Sequence, residues 1–269
     1  MKVLGIVGSP RKEKGRTDAL VQSALSGAKS VGAEIDTMYL IDRNPQPCVH
    51  CGGGCFSTAE CKMEADAGRR SQEIYESDAI VLGAPVYIWQ ISGITAAFID
   101  KLRMKDSRPP SRTSHARPAL GISMAGGTGT GLISAIQHIY KFFCLWGFYA
   151  IDPIPVSRHN FDEALKTSYK SGTKLAQLCS EKRSFDNIGN CLAHYESLPF
   201  LDSDTVDEFL YLSQLMTKNT NVNNSNQPIY EQAKEHQEKA KLLIDQGKKQ
   251  ESAIYASQAY ELARKAYGD

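Results

Sequence analysis

The sequence has almost no net charge and no long hydrophobic run. Of its 269 residues, 31 are Lys or Arg and 30 are Asp or Glu, so the formal net charge is +1. This balance gives no support for binding to nucleic acid or to an anionic membrane surface. The apolar start, MKVLGIVGSP, is too short for a signal-peptide core, and no later apolar run reaches the length of a membrane-spanning helix. We therefore expect a cytoplasmic protein without membrane or nucleic-acid partners.

Two common nucleotide-binding motifs are also missing. The dinucleotide fingerprint Gly-x-Gly-x-x-Gly is absent. A P-loop has four residues between its glycines and then Lys, whereas here six residues separate Gly8 from Gly15 and Arg16 follows. These absences argue against a Rossmann-type dinucleotide site and against a Walker-type ATP site.

The first half of the chain does contain a regular alternation of strand-like and helix-like segments. Short apolar runs predict buried parallel strands at 2–8, 34–40, 79–87, 119–124 and 148–156. Helical periodicity occurs between them, for example at 94–104. Five such units predict an α/β fold, a doubly wound five-stranded parallel sheet covered by helices on both faces.

The alternation stops after about residue 183, and the segment 184–203 shows no clear period. We assign 1–195 to the sheet domain, with a four-cysteine insertion at 45–66, and 196–269 to a C-terminal helical extension. A helix is predicted at 204–216, with Asp204 or Ser203 as its cap. An Asn-rich linker at 218–227 then leads into a helical hairpin at 228–267.

The connection after the first strand has the composition of a phosphate-binding loop. In a doubly wound sheet, ligands bind beyond the carboxyl ends of the strands, where GSPRKEKGRT lies. The hydroxyl groups of Ser9 and Thr17 are available there, and the N–H groups at the start of the next helix point back at the loop. Four cations accompany them: Arg11, Lys12, Lys14 and Arg16. A solvated basic loop is the alternative interpretation.

Two further loops at the same edge are suited to a flat ring. The third strand ends at the stiff residue Pro85, and Tyr87 and Trp89 follow, although core or interface packing is the alternative for both rings. The fourth strand ends in SMAGGTGTG, whose bare backbone can approach a heterocycle.

A ligand with a phosphate, a flat ring and a hydrogen-bonding edge satisfies all three loops. FMN has these parts, whereas ATP fits less well because there is no Walker lysine and no obvious acidic pair for Mg²⁺.

These segments resemble a known family. VLGIVGSPRKEKGRT, ESDAIVLGAPVY, ISGITAAFIDKL and GISMAGGTG together resemble the NADPH-dependent FMN reductase-like branch of the flavodoxin-like superfamily. With four cysteines between the second strand and the next helix, the chain looks like the iron–sulfur flavoproteins of anaerobic prokaryotes. The resemblance covers about residues 1–180, and it implies a flavodoxin-like fold, bound FMN and a homodimer or homotetramer.

The resemblance also implies a set of FMN contacts. The phosphate should be surrounded by Ser9, Arg11, Arg16 and Thr17, although the family often has Asn or Ser at the position of Arg16. The ring should be lined by Pro85, Val86, Tyr87 and Trp89. Its other side or its pyrimidine edge should be met by Met124, Ala125, Gly126, Gly127 and Thr128. Asp100 matches the acidic residue of the family's Phe-Ile-Asp-Arg stretch, with Lys101 in place of Arg, and a plain surface position is its alternative.

Four of the seven cysteines lie close together, at Cys48, Cys51, Cys55 and Cys61. In a reducing compartment such a group favours metal ligands or redox thiols over disulfides. Spacing alone does not choose between zinc and a [4Fe–4S] cluster, although only the first pair has the C-x2-C form of a zinc knuckle. The family's compact motif has two residues between the second and third cysteines, and this chain has three. A flavin nearby favours the cluster, and zinc or metal-free thiols are the alternatives.

Three functions follow from these observations. The leading hypothesis is an FMN-dependent redox protein that transfers electrons through FMN and a [4Fe–4S] cluster, with ferredoxin or NAD(P)H as the donor. An alternative is an NAD(P)H-dependent FMN or quinone reductase without a functional cluster. A third is a non-enzymatic binding module with a zinc-stapled cysteine loop. No catalytic side chain is nominated, because the flavin itself carries out the redox chemistry.

Overall fold

A parallel sheet forms the centre of the fold in the computed structural model, which describes residues 1–58, 60–102 and 116–268. The strands are β1 (Lys2–Val7), β2 (Glu34–Tyr39), β3 (Ala79–Tyr87), β4 (Gln90–Ile91), β5 (Pro118–Met124), β6 (Tyr149–Ala150) and β7 (Ile154–Val156). Their order is β2-β1-β3-β5-β6; β7 also pairs with β5, and β4 forms a short antiparallel hairpin with β3. This is the flavodoxin-like doubly wound order. The predicted fold class is confirmed.

The predicted fifth strand, 148–156, is present as two pieces. β6 pairs with the start of β5 and β7 with its end. Between them lie Ile151, Asp152 and Pro153, and a proline has no N–H to donate to a ladder. The interruption leaves β7 aligned with the carboxyl end of β5, so its following loop reaches the same edge as the ligand-binding loops.

Helices cover both faces of the sheet. They are α1 (Arg16–Ser30), α2 (Leu40–Arg43), α3 (Cys55–Thr58), α4 (Asp66–Tyr75), α5 (Gly93–Asp100), α6 (Leu132–Leu145), α7 (Phe161–Glu181), α8 (Ile188–Glu196), α9 (Thr205–Asn219), α10 (Gln227–Asp245) and α11 (Lys249–Tyr267). The helix predicted at 94–104 corresponds to α5, and its last two residues lie outside the described residues. No helix is predicted from the sequence where α8 lies.

Two apolar cores lie on opposite faces of the sheet. One packs α1 and α7 against the central strands, with Leu20, Val81 and Leu175 in its interior. The other packs α5, α6 and α8 against the opposite face, with Phe98 and Phe143 in its interior. Both cores come from the continuous apolar runs that mark strands buried on two sides.

The α1–α7 contact depends on two glycines. A Cβ atom on Gly27 would lie 1.9 Å from the carbonyl oxygen of Tyr169, and one on Gly172 would lie 1.8 Å from that of Ala24. The Thr173 hydroxyl also donates to the Gly27 carbonyl oxygen at 3.1 Å. The two backbones therefore approach more closely than any side chain allows.

The C-terminal helices pack onto the carboxyl edge of the sheet through a third core. Its buried members come from the residue after β5, from the first turn of α6 and from the last three helices: Ala125, Leu132, Ile133, Leu212, Leu215, Met216, Ala233, Tyr260 and Ala263. α9 begins with a capping box between Asp204 and Asp207, so the predicted Asp204 cap is present. In the described part of the chain, no helix combines the length and the hydropathy that crossing a bilayer requires.

Candidate functional site

The loops predicted to hold a ligand meet at the carboxyl edge of the sheet. The β1 loop contacts the start of α5, because the Ser92 hydroxyl donates to the Gly8 carbonyl oxygen at 2.9 Å. The β3 loop contacts the β5 loop, since a Cβ atom on Gly131 would lie 2.4 Å from the Cα atom of Trp89. The three predicted segments therefore form one continuous surface.

In the β1 loop, the predicted hydroxyl residues are buried. Ser9 is 4% and Thr17 is 2% exposed. The Ser9 Oγ accepts the Arg11 N–H at 3.2 Å, and it would lie 3.0 Å from a Cβ atom on Gly15. Gly15 is also the N-cap of α1, so the loop closes tightly against the helix N-terminus. This arrangement matches the helix-terminal anion sites of many proteins.

The predicted cations of this loop differ in their contacts. Lys12 is paired with Asp42, whose Oδ1 lies 2.6 Å from the lysine Nζ. Arg16 lies 5.3 Å from the centre of the Phe161 ring. Within the described part of the chain, Arg11 and Arg16 form no ion pair, and both are exposed. These two arginines therefore have charge available for an anionic ligand.

The β3 loop turns through two residues in the left-handed region. Ile88 and Trp89 have φ angles of 48° and 64°. Two-residue hairpin loops of this kind normally carry Asn or Gly, and a bulky residue there costs about 1–3 kcal/mol. The Trp89 ring is held 5.9 Å from the Phe209 ring of α9. Tyr87 is 48% exposed, so one predicted aromatic ring presents its surface to solvent while the other is partly covered.

The β5 loop presents bare backbone, as predicted. Met124 and Ala125 are buried, whereas Gly126, Gly127 and Thr128 are exposed. A Cβ atom on either exposed glycine would meet nothing within 4 Å, so the space beside the backbone is open. A planar group can therefore approach the peptide N–H and C=O groups directly.

Residues of the C-terminal helices hold this loop in place. The Glu208 carboxylate of α9 is 1% exposed and accepts the N–H groups of Gly131 and, at 2.9 Å, Ile133. Burial raises the pKa of Glu208, and the backbone N–H groups oppose that rise. The Tyr260 hydroxyl of α11 donates to the Thr128 carbonyl oxygen at 3.0 Å. Sequence reasoning misses these contacts, because they join residues 75 to 132 positions apart.

His159, just after β7, is a second residue that sequence reasoning misses. It is 5% exposed, and its ring packs edge-on against Tyr267 of α11 at 4.5 Å. Neither ring nitrogen has a hydrogen-bond partner within the described ranges. Burial, together with the charge of Arg158, lowers the pKa of His159 to about 4. The imidazole is therefore neutral at physiological pH.

The four predicted metal ligands line one cavity of about 490 Å³. Cys48 and Cys51 are exposed, Cys55 and Cys61 are half-buried, and none is in a disulfide. Among the residues that the structure describes, no three such side chains converge closely enough to hold a metal ion. The four thiols therefore lie around one cavity, but their sulfur atoms are too far apart to bind one metal ion together.

A largely covered carboxylate, that of Glu64, ties the cysteine segment to the body of the protein. Glu64 accepts hydrogen bonds from Lys101 at 2.9 Å, from Arg70 and from the Gln46 N–H at 3.1 Å. Lys101 and Arg70 are themselves 4% and 0% exposed. Burial opposes the ionisation of Glu64, but the hydrogen bonds outweigh it, so its pKa is lowered.

The two ends of the cysteine segment are also joined. The Arg43 guanidinium, at the end of α2, binds Asp66 at 3.0 Å and Glu73 at 2.6 Å, both on α4. The segment is thus a loop closed at its base.

Helix α5 connects the cysteine cavity with the ligand-binding loops. Its N-cap is Ser92, which binds the β1 loop, and its last residue is Asp100. The Asp100 carboxylate accepts the Cys48 N–H at 2.8 Å, so this residue is more than a plain surface position. Eight helical residues span about 12 Å. The two candidate sites therefore lie at opposite ends of one short helix.

The residues present fit FMN and, in ligand type and number, a four-cysteine cluster. Two exposed arginines beside a helix N-terminus suit a phosphate, and the open backbone at 126–128 suits a flat heterocycle. Four thiols around one cavity supply the ligands that iron–sulfur clusters use.

Comparison with known proteins identifies the family of the chain. The profile of the family described as NADPH-dependent FMN reductase matches residues 1–162. An iron-sulfur flavoprotein of Methanocaldococcus jannaschii is 31% identical over 194 residues, which cover 66% of this chain and 97% of the relative. An iron-sulfur flavoprotein of Archaeoglobus fulgidus is 27% identical over 187 residues, covering 68% of this chain and 82% of the relative.

Solved structures share the fold. RosB, solved with an 8-demethyl-8-formylriboflavin-5'-phosphate intermediate, aligns with a TM-score of 0.53 at 13% identity, covering 76% of this chain and 88% of RosB. An azoreductase from Bacillus anthracis aligns with a TM-score of 0.50 at 17% identity, covering 66% of this chain and 99% of the azoreductase. At these identities the likeness concerns the fold alone. The profile match, the archaeal relatives and the loops at the sheet edge lead to one conclusion: the chain belongs to the NADPH-dependent FMN reductase family and is a flavin-dependent oxidoreductase.

Proposed function

We propose that this oxidoreductase binds FMN across the loops of the sheet edge and a [4Fe–4S] cluster in the cysteine cavity, and that it transfers electrons between two-electron and one-electron partners. The observation that carries the proposal is the cavity, because all four cysteines line it. The names of the archaeal relatives support the same assignment. Family membership also favours this function over a zinc-stapled binding module without activity.

The chain's own residues have defined parts in this proposal. Arg11 and Arg16 neutralise the phosphate, and Ser9 and Thr17 offer hydroxyl groups beside the α1 N-terminus. The ring lies between the β3 and β5 loops. Its contacts are Pro85, Val86, Tyr87, Trp89, Met124, Ala125, Gly126, Gly127 and Thr128. When bound, the flavin exchanges one or two electrons and the cluster exchanges one.

Four thiolates of one cavity would ligate the cluster: Cys48, Cys51, Cys55 and Cys61. In the structure their sulfur atoms are not converged, so binding must draw the loop inward. Gly52 and Gly54 have positive φ angles, and Cβ atoms on them would meet nothing within 4 Å. This part of the loop can therefore move without steric hindrance.

The visible spectrum of anaerobically purified protein tests the proposal. Flavin bands together with a broad iron–sulfur absorption, and about four iron and four sulfide per chain, are expected. The Cys61→Ser variant should lose iron and keep FMN. The Cys179→Ser variant is the matched control, since Cys179 lies on α7 away from the cavity. A colourless protein that contains zinc would refute the proposal.

A second candidate is an NAD(P)H-dependent FMN or quinone reductase that holds no cluster. The lack of a converged ligand set in the described residues favours it. Anaerobic mixing separates the two functions. Rapid bleaching of the flavin by NADPH, in a protein without iron, supports the reductase. Bleaching by reduced ferredoxin that depends on Cys61 supports electron transfer through the cluster.

The oligomeric state expected from the resemblance, a homodimer or homotetramer, also stays a prediction. Sedimentation of the FMN-loaded protein tests it directly.

A further inference from the structure

The C-terminal helices contact the proposed flavin site, although they lie beyond the residues that match the family profile. α9 and α11 together touch the β3 loop and the β5 loop. We propose that Glu208 and Tyr260 are positioning residues of the flavin site, and that α9 and α11 form a wall that holds the β5 loop in its binding conformation. This inference rests on the proposed binding of FMN at that edge.

Within itself the β5 loop forms only short-range hydrogen bonds, such as that from the Gly129 N–H to the Gly126 carbonyl oxygen at 2.9 Å. Gly127, Gly129 and Gly131 have φ angles of 52°, 83° and 89°, and the first of them has open space beside it. Glycine loses more conformational freedom on ordering than any other residue. A loop of this composition therefore depends for much of its conformation on the groups that bind it from outside.

Glu208 binds the end of the loop where α6 begins. Its carboxylate accepts the N–H groups of Gly131 and Ile133, which have no partner within α6 because they belong to its first turn. A hydrogen bond between a buried carboxylate and a backbone N–H group is strong. If either partner is removed, the other is left buried without a hydrogen bond, which is strongly destabilising. Glu208 therefore fixes α6 and the loop together.

Tyr260 binds the middle of the same loop. Its hydroxyl donates to the carbonyl oxygen of Thr128, next to the exposed glycines. Its ring also packs 4.8 Å from Phe209, which in turn packs against Trp89. One chain of contacts thus runs from α11 through α9 to the β3 loop. The proposed ring-binding loops are therefore both held by α9 and α11, which lie outside the matched residues 1–162.

The test uses full-length protein from which FMN has been removed and then titrated back. Tyr260→Phe, which deletes one hydroxyl, should raise the dissociation constant of FMN about 3- to 10-fold, and Glu208→Gln should raise it about 10-fold or more. Both variants should also change the visible circular dichroism of bound FMN. A loss of stability alone does not alter this signal in the molecules that remain folded and loaded.

Matched control substitutions are available on α10 and α11. Tyr255→Phe makes the same change on α11, and Glu235→Gln makes the same change at an exposed position of α10. Both should bind FMN within twofold of the wild type. The inference is overturned if Glu208→Gln and Tyr260→Phe, shown to be folded by far-ultraviolet circular dichroism, keep both the affinity and the visible spectrum of the wild type. Failure of the wild type itself to bind FMN would instead overturn the proposed function.

Discussion

Glu64 carries the electrostatic link between the cysteine segment and the rest of the molecule. It balances Arg70 and Lys101, which are both buried, and removing one partner of a buried pair costs roughly 3–5 kcal/mol. We expect Glu64→Gln to lower the free energy of unfolding by about that amount, measured by urea denaturation. The control is Glu163→Gln, which breaks the exposed pair with Lys218 and should cost less than about 1 kcal/mol. Equal effects of the two substitutions would contradict the assignment.

His159 gives the protein a defined sensitivity to acid. Its pKa is about 4 in the folded state, against the ordinary histidine value of 6.5 in the unfolded chain, so between these values the unfolded chain binds more protons. We expect the contribution of His159 to stability to fall as the pH is lowered from about 6.5 toward 4, by about 2 kcal/mol between pH 7 and pH 5. The variant His159→Phe, which can keep the packing against Tyr267, should lack this loss.

Urea denaturation at pH 7 and pH 5 checks the prediction. The exposed His138, replaced by Gln, serves as the control and should retain the wild-type pH dependence. If His159→Phe loses as much stability at pH 5 as the wild type does, another group is responsible.

Some functional residues can be predicted from the sequence and others cannot. The four cysteines were recognisable because they are close together in the chain, and the structure places them around one cavity. Glu208 and His159 were not recognisable. Each is surrounded by ordinary helix or loop sequence, and its partner comes from an element distant in the chain.

At the level of elements, the crossing of α1 and α7 leaves no room for a larger side chain at its two glycines, Gly27 and Gly172. Gly172→Ala would place a methyl group against the Ala24 carbonyl oxygen, and overpacking of this kind typically costs about 1–3 kcal/mol. We expect a loss of roughly 2–3 kcal/mol in the free energy of unfolding, even though alanine is the better helix former. Gly93→Ala, at the start of α5 with open space around it, should change stability by less than about 1 kcal/mol. A neutral Gly172→Ala would show that the two helices can move apart at little cost.

The elements that were predicted are those with a strong local signal. The strands of the sheet follow from apolar runs, and their parallel pairing follows from the helical stretches that separate them. The β3–β4 hairpin was not predicted, because Ile88 and Trp89 are unlike the residues that usually form such a turn. α8 was not predicted either, because only part of its surface is buried and its apolar residues show no clean period.

Across the whole molecule, the sheet edge and the C-terminal helices should respond to FMN together. If α9 and α11 position the β5 loop, ligand binding must in turn stabilise the contacts of those helices, since such linkage is reciprocal. We expect FMN to slow amide hydrogen exchange in α9 and α11 about 3-fold or more. α8, which packs on β6 at the other end of the sheet, should change little and serves as the internal control. Protection confined to residues 8–17 and 85–93 would argue against a shared support.

The closed base of the cysteine segment has a consequence for how such proteins diversify. Because Arg43 joins α2 to α4 and Glu64 binds Arg70 and Lys101, the residues between Gln46 and Glu64 can be lengthened, shortened or replaced while the register of β1 with β2 and β3 stays the same. Such a connection can vary in length and sequence while the sheet beneath it stays unchanged. If the segment holds a cluster as proposed, we expect one-electron chemistry to be gained or lost through this single insertion, without changes to the sheet.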